Sequence, residues 1–136
     1  MRSVLVVHAA PEWGARVAER LERAGWSAEA IEGGERALDR YVQEPSDAVV
    51  VDLDLRGRDG AATIESLRWA PGGRTLPIVL TGIAAQRDEL EALGRELGVD
   101  VVADGDPDAI AGALEGAVAG ATSGVSVALA PLADAL

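Results

Sequence analysis

Five short runs of mainly apolar residues recur along the chain, and longer amphipathic segments separate them. The runs cover Ser3 to Val7, Ser27 to Ile31, Ala48 to Val51, Pro77 to Thr81 and Val99 to Ala103. Hydrophobic runs without polar alternation are typical of parallel strands that are covered on both faces. We therefore predict five buried parallel strands.

The intervening segments carry apolar residues at the spacing of helices. Trp13, Val17 and Leu21 recur every four residues, which predicts one apolar helix face. The other predicted helices are marked by Leu38, Tyr41 and Val42, by Ile64 and Leu67, by Leu90, Leu93 and Leu97, and by Ile110, Leu114 and Val118. Asp106 is the expected N-cap of the last helix, since Pro107 suits the first helical position.

Strict alternation of strands and helices predicts a three-layer α/β sandwich with right-handed crossovers. Binding sites in such sheets form outside the carboxyl ends of the strands. The loops after Val7, Asp52, Thr81 and Ala103 are therefore the first places to look for function.

The length of 136 residues predicts one domain, which we assign to residues 3–119. Residues 120–136 are interpreted as a hinge followed by an apolar tail. Gly120 to Gly124 has the composition of a flexible linker, and residues 125–132 carry no charge. The tail is either a linker stub, a segment folded back on the domain, or a docking segment that a partner covers.

Composition removes several kinds of chemistry. The chain has no cysteine and one histidine, which excludes disulfides, thiolate sites and zinc sites built on several imidazoles. All 12 basic residues are arginine, so chemistry that needs a lysine is excluded as well. The net charge of −11 argues against nucleic-acid binding. We find no membrane span and no signal peptide, and we expect a cytoplasmic protein.

Several short motifs resemble the receiver domains of bacterial two-component response regulators. The segment 47–60, DAVVVDLDLRGRDG, resembles their phosphoacceptor strand and the Gly-x-Asp-Gly turn that follows it. Pro77 to Gly82, PIVLTG, is similar to their fourth strand with its terminal hydroxyl residue. Val4 to Val7 before Pro11 resembles the first strand and its loop, and Gly98-Val99-Asp100 resembles the turn into strand five.

The resemblance spans residues 3–119 and implies a flavodoxin-like fold, with five helices and the strand order 2-1-3-4-5. It also implies phosphorelay signal transduction, in which a histidine kinase passes a phosphoryl group to an aspartate. In this family two acids after strand one help to hold Mg²⁺, and a lysine contacts the phosphoryl group. Asp52 stands at the acceptor position, Thr81 at the switch hydroxyl, and Asp54 supplies the carbonyl position for the metal.

Other positions depart from the family pattern. His8 and Ala9 stand where the acid pair belongs, Val102 replaces the switch aromatic, and Gly105 replaces the lysine. Mg²⁺ demands oxygen ligands, so we expect its binding to be weak or lost, with Asp52 and Asp54 as weak candidates. We expect no other cofactor.

The surviving residues allow alternatives. Asp52 is either a vestige or an occasional acceptor, and Arg56 or Arg58 could contact an anion in place of the lysine. His8 could join Asp52 and Asp54 in a weak cation site or pair with an aspartate, and pairing would raise the pKa of the histidine.

The leading hypothesis is a pseudo-receiver, a non-enzymatic signalling domain that works through protein–protein contacts. The expected partners are a histidine kinase or an output protein, or a second copy in a homodimer. In the family the face of helix four, strand five and helix five carries such contacts, here Arg87 to Ala119. One alternative is a phosphorylation-dependent regulator that uses Asp52 with a rebuilt site. A distant alternative is a small-ligand-binding domain, although no Gly-x-Gly-x-x-Gly follows strand one.

Overall fold

The computed structural model describes residues 1–55 and 59–120 as an alternation of strands and helices. The elements are β1 Ser3–His8, α1 Pro11–Arg23, β2 Ser27–Glu32, α2 Gly34–Gln43, β3 Ala48–Asp52, α3 Gly60–Trp69, β4 Ile78–Thr81, α4 Arg87–Leu97 and β5 Asp100–Val102, followed by helix α5 at 107–120. Short 3₁₀ turns at Gly73–Thr75 and Ala84–Gln86 precede β4 and α4. Arg56, Arg58 and the apolar tail lie outside the described residues, as does all of the hinge except Gly120.

The five strands form one parallel sheet in the order β2-β1-β3-β4-β5. This confirms the predicted fold class and strand order. The register places Asp52 beside Thr81 and Thr81 beside Val102. The last residues of three neighbouring strands therefore share one row at the carboxyl edge.

The core fills the space on both faces of the sheet. Val7, Val51 and Leu80 belong to the cluster that packs with α2, α3 and α4. Val6, Val50 and Val79 belong to the cluster that packs with α1 and α5. Successive residues of a strand point to opposite faces, so the continuous valine runs serve both clusters.

Strand β2 departs from the prediction of a buried strand. Four of its six residues are exposed, because β2 is the edge of the sheet. Glu29 on this edge accepts a hydrogen bond from Arg40 Nε at 3.1 Å. The prediction of full burial was therefore wrong for Ser27 to Ile31, although the strand itself is present.

Two helix starts are fixed by aspartate caps. The Asp106 carboxylate accepts a hydrogen bond from the Ala109 N–H at 3.1 Å, which confirms the predicted N-cap of α5. Asp59 caps α3 in the same way through the Ala62 N–H at 2.8 Å. Both helices therefore begin close to the carboxyl edge of the sheet. Within the described ranges, none of the helices has the length and apolar character needed to cross a membrane.

Candidate functional site

A cavity of about 200 Å³ opens at the carboxyl edge of the sheet. It lies between the end of β3, the loop after β4, the loop after β5 and the first turn of α1. The lining residues are Trp13, Asp52, Thr81, Gly82, Ile83, Asp104 and Gly105. The topology thus brings Asp52 and Thr81 together with the expected lysine position.

Asp52 ends β3 with its carboxylate partly buried. Burial raises the pKa of Asp52, and the charge of Asp54 adds to the shift. Hydrogen bonds from the backbone N–H groups of Asp54 and Leu53 oppose it. The Asp54 N–H lies 3.2 Å from Asp52 Oδ1. Among the described residues, the charge of Asp52 is thus poorly compensated.

Thr81 ends β4 beside Asp52, and 1% of its surface is exposed. Its hydroxyl has no hydrogen-bond partner among the described residues. A Cβ added at Gly105 would come within 3.7 Å of Thr81 Oγ1, so this hydroxyl lies close to the loop after β5, which also lines the cavity.

Gly105 follows β5 in the left-handed region, with a φ of +67°. Its carbonyl accepts a hydrogen bond of 2.9 Å from Trp13 Nε1. A Cβ at this position would lie 3.4 Å from that indole nitrogen and 3.5 Å from the Gly82 carbonyl oxygen. The expected lysine position therefore has a backbone conformation that strains residues other than glycine. It lies beside the indole of Trp13 and carries no cationic side chain.

The role of Trp13 was missed by the sequence reasoning, which assigned it only to the apolar face of α1. Its hydrogen-bond partner is 92 residues away in the chain. No spacing rule connects two such positions, so the contact is visible only in the folded structure.

His8 is buried at the end of β1, with 5% of its surface exposed. Its ring packs so closely on α1 that a Cβ at Gly14 would clash with His8 Cδ2. Burial lowers the pKa of His8, and the nearby charge of Glu32 opposes this only in part. The interpretation that His8 pairs with an aspartate, which would have raised this pKa, was therefore wrong. Desolvation exceeds the attraction of Glu32, and Nδ1 has no partner within the described residues.

The carboxylate of Asp54 is engaged by a neighbouring side chain. Its Oδ2 accepts a hydrogen bond of 2.8 Å from Gln86 Nε2. Gln86 in turn accepts the Ile83 N–H at 3.0 Å through its Oε1. Gln86 thereby connects the loop after β3 to the loop after β4, a link that sequence analysis did not identify.

Val102 and Ala9 add no polar group to the site. Val102 is 8% exposed and packs in the cluster of α1 and α5. Ala9 is partly buried and packs against the cluster on the opposite face.

These residues do not fit a magnesium site of the receiver type. Within residues 1–55 and 59–120, no three His, Cys, Asp or Glu side chains are grouped to hold a metal ion. This also counts against the suggested weak cation site of His8, Asp52 and Asp54. Asp104 reaches the cavity, but its Oδ1 already accepts the Asp106 N–H at 3.0 Å.

Comparison with known proteins finds relatives that this chain matches over only part of their length. No family model matches the chain. The transcriptional regulatory protein BaeR of Escherichia coli O6:H1 is 30% identical over 98 residues, which are 71% of this chain and 39% of BaeR. The sensory/regulatory protein RpfC of Xanthomonas campestris is 39% identical over 62 residues, which are 44% of this chain and 8% of RpfC. The chain thus spans less than half the length of these curated relatives.

Solved structures match nearly the whole described fold. A sensor protein from Polaromonas sp. JS666 has a TM-score of 0.79 at 25% identity, covering 88% of this chain and 98% of that one. A putative response regulator from Chloroflexus aurantiacus has a TM-score of 0.75 at 25% identity, covering 87% and 98%. The sheet order and the helix layers are those of these neighbours.

Proposed function

Because this chain is a receiver-like signal-transduction domain of the response-regulator type, we propose that it signals through protein–protein contacts without normal Mg²⁺-dependent phosphorylation of Asp52. The proposal describes a pseudo-receiver that acts in the cytoplasm of a bacterium. Its partner is a histidine kinase or an output protein of a two-component pathway. We propose no catalytic turnover for the chain itself.

The observation that carries this proposal is the cavity around Asp52, whose described lining contains two carboxylates and no cation. A phosphoryl donor brings further negative charge to this point, and Mg²⁺ and lysine would normally compensate it. Each such contact supplies roughly a few kcal/mol of transition-state stabilisation. Every 1.4 kcal/mol is about a factor of ten in rate, so phosphorylation should be slower by several orders of magnitude.

The second part of the proposal concerns the face formed by α4, β5 and α5. Its α4 portion exposes Asp88, Glu89, Glu91 and Glu96 beside only two arginines, Arg87 and Arg95. An acidic surface of this kind favours a partner with a basic docking face.

The first experiment measures intact mass after incubation with acetyl phosphate and Mg²⁺, with Asp52→Asn as the control. We expect no phosphoryl adduct on either protein. An adduct on the unchanged chain that disappears in Asp52→Asn would overturn the proposal.

That opposite outcome would support the second candidate, a regulator phosphorylated at a rebuilt site. The observation in its favour is that Asp52 and Thr81 line the same cavity. Repeating the experiment with Arg56→Ala and Arg58→Ala would then show whether these arginines replace the lysine.

A further experiment tests the docking face by reversing charges. The double variant Glu91→Arg/Glu96→Arg on α4 should weaken capture of a partner kinase or output protein by about tenfold or more. The matched variant Glu35→Arg/Asp39→Arg changes two exposed acids on α2 and should leave capture unchanged. Equal effects of the two variants would argue against the assigned face.

A further inference from the structure

At the cavity on the carboxyl edge, three N–H donors of the described residues are already engaged, whereas the carboxylates keep acceptor positions open. Trp13 Nε1 donates to the Gly105 carbonyl, the Gly82 N–H to the Val102 carbonyl, and the Ile83 N–H to Gln86. The Asp52 and Asp104 carboxylates each accept a backbone N–H through Oδ1. A carboxylate has about four acceptor positions, so both retain capacity toward the cavity.

The Thr81 hydroxyl gives independent evidence for a ligand-binding site. It is 99% buried, since 1% of the residue is exposed, and it has no partner among the described residues. Buried hydroxyl groups in folded proteins nearly always have a partner. Thr81 lines the cavity, and its Oγ1 lies beside Gly105, another lining residue. A bound group with N–H donors would satisfy this oxygen.

The charge of the cavity indicates the sign of that ligand. Asp52 and Asp104 line it, and no arginine of the described ranges does. The whole chain carries a net charge of −11, so no long-range positive field offsets the two carboxylates. A cation is the complementary ligand.

We propose that this cavity binds a guanidinium group, held by the carboxylates of Asp52 and Asp104 and by the hydroxyl of Thr81. A guanidinium is planar and presents five N–H donors, which match carboxylate oxygens in pairs. Trp13 also lines the cavity, and guanidinium groups stack on aromatic rings. The volume of about 200 Å³ accommodates such a head group together with water. The inference rests on the proposed absence of Mg²⁺ and phosphoryl chemistry at this cavity.

A guanidinium can come from two sources, an arginine side chain of a bound protein or a free guanidino compound. In the first case the partner would insert a positive charge near the place where receivers carry their own lysine. In the second case a small molecule would control access to the cavity.

The test follows the Trp13 indole N–H by ¹H–¹⁵N NMR, because this group donates to Gly105 inside the site. Ethylguanidinium is the probe, and N-ethylurea is the neutral control of similar shape. We expect saturable shifts of the Trp13 indole and of the Gly82 and Gly105 amides with ethylguanidinium only. Equal shifts with both compounds, or no saturation, would overturn the proposal.

Variants then locate the binding site. Asp104→Asn, Asp52→Asn and Thr81→Val should each weaken ethylguanidinium binding by about three- to tenfold. Asp100→Asn makes the same charge change on an exposed residue at the start of β5, away from the cavity, and should have no effect. Equal losses in Asp104→Asn and Asp100→Asn would mean a general charge effect and would overturn the site.

Two more titrations separate the sources and the two proposals. Tighter binding of an Arg-Gly-Arg peptide than of agmatine supports a protein arginine, and the reverse order supports a free guanidino compound. Mg²⁺ is titrated in parallel as a probe of the proposed function. Saturable chemical-shift changes at Asp52 on addition of Mg²⁺ would count against the pseudo-receiver. If neither Mg²⁺ nor ethylguanidinium changes the spectrum, the guanidinium site alone is overturned.

Discussion

At the scale of single residues, Asp52 is a carboxylate whose ionised form is disfavoured by its surroundings in the folded protein. Burial is the largest cause of its raised pKa, and the Asp54 carboxylate adds repulsion. The folded protein therefore binds a proton at Asp52 more tightly than the unfolded chain does. At neutral pH the ionised carboxylate thus lowers the free energy of unfolding.

Asp52→Asn should therefore stabilise the protein at pH 7. The amide oxygen can still accept the Asp54 N–H, while the buried charge is removed. We expect a rise in melting temperature of about 2–4 °C, a small value because solvent screens part of the charge. The gain should shrink as the pH falls through the raised pKa toward the ordinary value of 3.8. Asp100→Asn is the control, and an equal or larger gain there would contradict the assignment.

His8 provides a second titration, with the opposite charge. Its pKa is lowered from 6.5, mainly by burial. Above pH 6.5 the ring is neutral in both the folded and the unfolded state and adds no pH dependence. Below that value the unfolded chain takes up the proton first, so stability falls until the pH drops below the folded pKa.

The measurement is a set of thermal unfolding curves between pH 5 and 8, alongside an NMR titration of the imidazole. The chain has one histidine, so its resonance is assigned without ambiguity. We expect a midpoint below 6.5 and a loss of stability in acid that His8→Phe reduces. A midpoint above 6.5 would instead support the ion pair that the sequence suggested.

At the scale of elements, the junction between β3 and α3 depends on Gly60. The Gly60 N–H donates to the Leu53 carbonyl at 2.9 Å, which brings the start of α3 against the end of β3. A Cβ at Gly60 would lie 2.5 Å from the Asp52 carbonyl oxygen and 2.8 Å from Leu53 Cα. Both atoms belong to the backbone of the site, so neither can move without displacing Asp52.

Gly60→Ala should cost about 1–3 kcal/mol of unfolding free energy, because the clash exceeds the gain in helix propensity. The matched control is Gly112→Ala on α5, where nothing lies within 4 Å of an added Cβ. That control should stabilise the protein by up to about 1 kcal/mol. Urea unfolding measures both variants, and a stabilised Gly60→Ala would contradict the close approach.

At the scale of the whole molecule, parallel pairing collects distant loops at one edge. One cavity is lined by residues from four separate loops or element ends, namely residues 13, 52, 81 and 104–105. The same topology makes β2 an outer strand at one side of the sheet, with its Glu29 and Glu32 exposed. The cavity therefore arises from the topology, while its acidic character arises from the residues at those positions.

Much of this arrangement could be predicted from the chain alone. The buried valine runs and the intervening helix faces predicted the sheet and the layers, because periodicity follows directly from backbone geometry. The motifs around Asp52 and Thr81 located the relevant strand ends. The replacements at four family positions were assigned from residue identity and from the resemblance to receiver domains, and they stay predictions: His8, Ala9, Val102 and Gly105.

Only the tertiary structure decided how these residues are used. The packing of α1 decides whether His8 lies beside an acid or among apolar groups. The ring packs closely on Gly14, and burial has a larger effect on its pKa than the nearby Glu32. The Trp13 bond to Gly105 and the Gln86 bond to Asp54 join residues 92 and 32 positions apart. Such contacts follow from packing between elements, and local sequence carries no signal for them. The order of the elements was thus determined by the sequence pattern. Packing decided that, within residues 1–55 and 59–120, the Thr81 hydroxyl has no partner and the carboxylates of the cavity face no cation.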